Sequence, residues 1–182
     1  MVNGKDAMLS RVGHIAVSWN EAERIINHIL WLYLDTDVRT AEVLTKPMRP
    51  SDREKLLKEL VRLKEIDPAV DEEIGEALRI CGICRDNRNA ILHNSGGLGE
   101  IFTEQAIEAV TSICIEFDDA LIYLRALQES VTKVIYLRGA RETPIGDESF
   151  MDEELPPIEF QKPERPKRPR RFNAQEVFQH AG

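Results

Sequence analysis

The chain has 182 residues, 42% of them hydrophobic, with a formal net charge of −8; this suits one soluble domain plus extensions. Its longest clean apolar run, Ile29-Leu30-Trp31-Leu32-Tyr33-Leu34, falls far short of the ~20 residues that span a bilayer, so no membrane association is expected. The opening Met1-Val2-Asn3-Gly4-Lys5-Asp6 has no charged leader followed by an apolar stretch, and three cysteines make no disulfide framework, so the expected compartment is the reducing cytoplasm.

Helical spacing dominates from the start. Residues 9–34 place Val12, Ile15, Ala16, Trp19, Ala22, Ile26, Ile29, Leu30 and Tyr33 three and four apart, which predicts a first amphipathic helix. Trp19, Trp31 and Tyr33 on it read as core or dimer interface. Residues 35–50, with Pro47 and Pro50, break the pattern. Ser51-Asp52-Arg53-Glu54 then has the form of a capping box opening a second helix through Leu56, Leu57, Leu60, Val61 and Leu63. Asp67 as N-cap and Pro68 at the first helical position predict a third helix to about Asn94, stopped by Ser95-Gly96-Gly97. Thr103 and Glu104 open the longest helix, carrying Ile107, Val110, Cys114, Phe117, Leu121, Leu124, Val131 and Ile135, with Gly139 as an αL cap. No segment alternates as a strand. The expected fold is all-α: an antiparallel bundle of four principal helices over 1–139, because the connections are short.

Residues 140–182 form an acidic, then Pro/Arg-rich extension. Its end, 161–182, holds six Lys and Arg side chains against two Glu, a net +4; subtracted from the chain total, this leaves −12 on residues 1–160. Proline at this density cannot continue a helix and the charge cannot bury, which predicts a flexible linker or arm. The arm reads as a solubilising tail or as a grip for RNA phosphates. Phe172, Val177 and Phe178 would dock on a partner or fold back locally.

Several other patterns carry little chemistry. Cys81-Gly82-Ile83-Cys84 lacks a second ligand pair for zinc and a βαβ setting for redox work, so both cysteines read as small buried hydrophobes. His14 and His28 have no companion ligands, and no metal is expected. With no phosphate-binding glycine loop, no cofactor is expected either. His28, with Glu21, Glu23 or Arg24, lines a site on the third helix only if the first helix packs near it.

Chemistry concentrates in Arg85-Asp86-Asn87-Arg88-Asn89-Ala90-Ile91-Leu92-His93-Asn94. Guanidinium meets phosphate as a planar fork, and imidazole moves a proton near neutral pH. At about 100° per residue, Arg85, Asn89 and His93 form one stripe with Arg88 beside it, while Ile80, Ile83, Cys84, Ala90 and Ile91 lie opposite. Ile74, Leu78, Cys81 and Leu92 add apolar character on the stripe's side. A helix apolar on two faces wants two partners: its own core, and either a second copy across a two-fold axis or another segment such as the first helix or the tail.

In this setting Arg88-Asn89-Ala90-Ile91-Leu92-His93 resembles the signature of the HEPN family, an arginine usually followed by a polar residue, with a histidine after a short spacer. The resemblance covers the helical body, about residues 9–138, and its specific part is these six residues. It implies a helical domain that dimerises so that two motifs form one cleft. Many members are metal-independent endoribonucleases, often toxins with a cognate antitoxin or defence effectors; others are inactive dimerisation or binding modules. Arg88 and His93 match the two named catalytic positions and Asn89 the polar one. Arg85 and Asn94 are supporting candidates from geometry alone.

The chemistry is consistent with that family. RNA supplies its own nucleophile, the 2′-OH. His93 would act as general base toward that hydroxyl or general acid toward the leaving 5′-oxygen, and Arg88 would hold the phosphate. Asn89 would orient His93 or donate to a phosphate oxygen, and Arg85 would add binding. Acid and base together call for two groups, which a homodimer supplies. Against this stand simpler roles: His93-Asn94 at a helix C-terminus meets the dipole, and Arg85 or Arg88 pairs with a surface acid. A helical adaptor contacting partners through its basic tail is the remaining reading.

Overall fold

The computed structural model describes residues 4–65, 67–94, 103–142, 158–174 and 177. Among them are five helices and no strand: α1 (Gly4–Leu34), α2 (Val38–Thr45), α3 (Pro50–Lys64), α4 (Pro68–Asn94) and α5 (Glu104–Glu142). No helix among the described residues is long and apolar enough to cross a membrane. Helix α1 is the centre of the packing; it lies most extensively on α5 and also meets α2, α3 and α4. Ile15, Trp19, Ala22, Ile26, Ile29, Leu30 and Tyr33 recur at helical spacing and are all buried. They meet Phe117, Leu124 and Val131 of α5 and Ile74, Ile80 and Ile91 of α4 in one core. Each large side chain among them contributes about 1.5–3 kcal/mol through lost apolar surface. Trp19 and Tyr33 therefore belong to the core.

The helix boundaries correct several expectations. The stretch 35–50 holds a fifth helix, α2, too short for periodicity to announce. Asp35 reverses the chain with φ 55°, a conformation Asp tolerates better than most residues. Asp37 then caps α2, accepting from the N–H groups of Arg39 (3.0 Å) and Thr40 (3.1 Å). Trp31 Nε1 donates to Thr45 Oγ1 (3.0 Å), fixing α2 against α1.

The capping box does not form. Helix α3 starts at Pro50 with Arg49 as an N-cap that makes no side-chain bond, and Glu54 instead takes the Arg85 guanidinium at 2.7 Å. Proline needs no partner for an N–H, and a charge-assisted bond outweighs a neutral cap. Nor does Gly139 cap α5: the helix runs through it to Glu142, and no described glycine has a positive φ. Asp67 and Thr103 do accept from the N–H groups of Ala69 (2.9 Å) and Ala106 (3.2 Å). Ser95-Gly96-Gly97 lies outside the described residues.

A flexible arm over 140–182 is the reading of proline and charge alone, and residues 158–173 depart from it. They run extended across α4 and α5 as a strap. Lys162-Pro163-Glu164, Arg165-Pro166-Lys167 and Arg168-Pro169-Arg170 repeat a cation every third residue. A polyproline path has three residues per turn, so it brings all three cations to one face. That face meets acidic residues of α4: Lys162 Nζ lies 2.8 Å from Glu73, Arg165 Nη2 lies 2.6 Å from Glu73 and 2.5 Å from Glu72, and Arg168 Nη2 lies 3.2 Å from Glu76. Pro169 is buried. Phe160, Phe172 and Val177 pack against the core, the local fold-back of the two readings for Phe172 and Val177. Phe178 lies outside the described residues.

Candidate functional site

Helix α4 carries two different polar faces. At about 100° per residue, Glu73, Glu76 and Asn87 share one side, and Arg85, Asn89 and His93 share the other. Arg88 lies between, on the row that continues Ala77, Cys81 and Cys84, and this makes it half-buried. Its Nη1 donates to Asn89 Oδ1 at 2.9 Å, while its buried Nε meets no acceptor among the described residues. His93 is exposed one turn beyond Asn89. The backbone of Asn94 ends the helix, and its side chain lies outside the described residues.

Arg85 is turned elsewhere. Its bond to Glu54 joins α4 to α3, with Arg85 29% and Glu54 19% exposed. Beside them Arg53 Nη1 donates to Asn27 Oδ1 (2.8 Å), and Arg53 Nη2 lies 3.9 Å from Glu23. The space among these side chains, against Trp19 and Cys81, is only about 10 Å³, at most one water. An anion at Arg85 would compete with Glu54, which already holds its Nη1. The same contacts show that α1 and α3 cover the helix face around Cys81, one of the two alternatives left by the apolar pattern.

The remaining candidates lie apart from the motif. His28 Nδ1 meets Gln128 Nε2 of α5 at 2.7 Å, and His14 Nε2 pairs with exposed Asp118 at 2.8 Å. Cys81, Cys84 and Cys114 are free and buried. Burial pushes their thiols up, Cys84 to about 12 and Cys114 to about 11, with Cys81 raised as well. These are poor nucleophiles that fill core space.

Sequence reasoning missed the second polar face. Glu73 is fully buried and Asn87 is 2% exposed. Asn87 Nδ2 donates to the Arg170 carbonyl (2.7 Å), and its Oδ1 accepts from the Phe172 N–H (2.8 Å). The Arg170 N–H reaches Glu116 of α5 at 3.1 Å. Tyr123 of α5 donates its O–H to the Glu73 carboxylate at 2.8 Å. Burial pushes the Glu73 carboxyl up, but hydrogen bonds from Arg165, Lys162 and Tyr123 together outweigh it and hold it below the usual carboxylate range. At Glu116, burial dominates and raises the carboxyl. One signal was available: Asn87 sits at core spacing from Ile80, Cys84 and Ile91, where an unpartnered amide would be costly. Compared with known proteins, the chain matches no family model, no curated protein and no solved structure.

Proposed function

We propose that this chain is a HEPN-type, metal-independent endoribonuclease, built as an antiparallel arrangement of its four long helices and acting as a homodimer in toxin, stress or defence physiology. The observation that carries the reading is the Arg88–Asn89–His93 group at the end of α4. Arg88 Nη1 donates to Asn89, and His93 stands exposed one turn beyond Asn89. That arrangement suits a phosphodiester: Arg88 holds a phosphoryl oxygen, and His93 moves the proton of the 2′-OH or of the leaving 5′-oxygen. A second chain supplies the complementary acid or base. The products are a 2′,3′-cyclic phosphate and a 5′-hydroxyl.

A second reading, an inactive HEPN-like module that dimerises or binds RNA or protein, is favoured by Arg85. Its ion pair with Glu54 weakens it as a phosphate contact, and the acidic body adds no general attraction for RNA. Purified protein incubated with a mixed RNA panel in EDTA, beside Arg88→Ala and His93→Ala, separates the two. Cleavage by wild type alone, ending in cyclic phosphate, supports the nuclease. No cleavage, or cleavage unchanged by both substitutions, refutes it.

A further inference from the structure

We propose that the acidic groove formed by Glu72, Glu73, Glu76, Asn87 and Glu116 is a recognition site for extended protein segments carrying a cation at every third position, with the strap as its resident occupant, displaceable by such a segment of another protein. Three features make this a recognition groove. First, Glu73 is fully buried, and Tyr123, Lys162 and Arg165 are the partners of its carboxylate among the described residues. With a segment seated over it this carboxylate has lost its water, so the occupant must bring a guanidinium or ammonium opposite it. Tyr123 comes from α5, so it orients the carboxylate whichever segment lies above.

Second, Asn87 reads backbone alone. Its amide bonds the carbonyl of one strap residue and the N–H two residues on, groups that nearly every segment offers. Side-chain selection falls on the triplet cations and on the buried Pro169. The sequence class is therefore Lys/Arg-x-x-Arg-x-x-Arg-Pro in an extended path.

Third, the strap is gripped from one side. Its cations stay partly exposed, Lys162 48%, Arg165 34% and Arg168 58%. Half-exposed ion pairs are individually weak and screened by salt, so a competing strand can replace them one at a time. The groove lies on the face of α4 away from Arg85, Asn89 and His93, so the inference stands independently of the ribonuclease reading.

The test uses the full chain and a fluorescent peptide of its own 158–174 sequence. Wild-type protein should bind it weakly, because the tethered strap competes at high effective concentration. A chain carrying Lys162→Ala, Arg165→Ala and Arg168→Ala, groove intact, should bind at least about tenfold more tightly. Binding should weaken with added salt. In wild-type protein, excess peptide should speed hydrogen exchange across 158–173 as the strap is displaced. Equal binding of a K162E/R165E/R168E peptide overturns the proposal, as does a folded triple variant that binds no better than wild type. If that variant does not fold, wild-type exchange decides: a strap unmoved by saturating peptide also overturns it.

Discussion

Replacing Asn87 by Ala isolates the strap's backbone contacts from its charges. The substitution removes two hydrogen bonds, to the Arg170 carbonyl at 2.7 Å and from the Phe172 N–H at 2.8 Å. Each is worth about 0.5–1.5 kcal/mol net, and a buried partner left unsatisfied adds a further ~1–3 kcal/mol unless water reaches it. Because the strap can lift into solvent, the loss is capped by its own docking energy, and about 2–4 kcal/mol is expected. At 1.4 kcal/mol per tenfold, that raises the open population of the strap about 30- to 700-fold. Hydrogen exchange by mass spectrometry reads this directly: peptides from 158–173 should exchange faster by that factor, while α1 peptides change little. Asn87→Asp keeps an acceptor for Phe172 but sets an oxygen against the Arg170 carbonyl, so it should fall near Ala. Exchange of the strap within about threefold of wild type in Asn87→Ala would mean that other contacts hold it, and the reasoning fails.

Other outcomes follow from the same geometry. On the ribonuclease proposal, His93→Ala should lower RNA cleavage about 10²- to 10⁴-fold, as expected for loss of a general acid or base, with helix content unchanged by circular dichroism. Tyr123→Phe should destabilise the fold by about 1–3 kcal/mol in urea titration, since Glu73 then loses a buried donor. Acid should release the strap. Arg165 holds Glu72 below the usual carboxylate range, and Glu73 lies below it as well. Stability from both is complete above that range and lost as pH falls through their lowered values; Glu116, raised by burial, works in the opposite direction. Amide resonances of 158–173 should accordingly move toward unstructured positions in acid and stay fixed around neutrality. With Cys84 pushed up to about 12 and Cys114 to about 11, an aromatic disulfide reagent at pH 8 should label native protein slowly and all three thiols after unfolding.

Periodicity announced the long helices because each carries enough turns for three- and four-residue spacing to stand out. It missed α2, whose eight residues bury only Ala41 and Thr45; the readable signal there was Asp37 followed by Thr40, an N-cap. The capping-box pattern at Ser51 and Glu54 failed for a tertiary reason, since Arg85 is thirty-one residues away in sequence and recruits Glu54 across the helix interface. At the motif, sequence placed Arg88 beside Asn89 and offered pairing of Arg85 with an acid as its simpler role, but could not show that the acid is Glu54 on another helix. The strap was harder still. Composition treats proline and charge as averages, whereas what matters is their period of three and a helix with Glu72, Glu73 and Glu76 waiting to match it.

That match changes what the charge distribution means for nucleic acid. Residues 161–182 carry a net +4, which by itself invites a phosphate-binding role. In the folded chain Lys162, Arg165 and Arg168 are engaged with α4 carboxylates, one of them fully buried. A polyanion can recruit those cations only in competition with the α4 carboxylates that already hold them. On the ribonuclease proposal the RNA contact falls to Arg88, Asn89 and His93 on the opposite face of α4, against the field of an acidic body, while Lys167, Arg170 and Arg171 stay exposed on the strap. Such a site favours capture by local geometry over long-range attraction. Cleavage should then tolerate added salt better than a basic-patch nuclease does, because few counterions are released on binding. A steep inverse dependence of activity on salt would point to a larger cationic surface and would reassign the RNA contact to the strap.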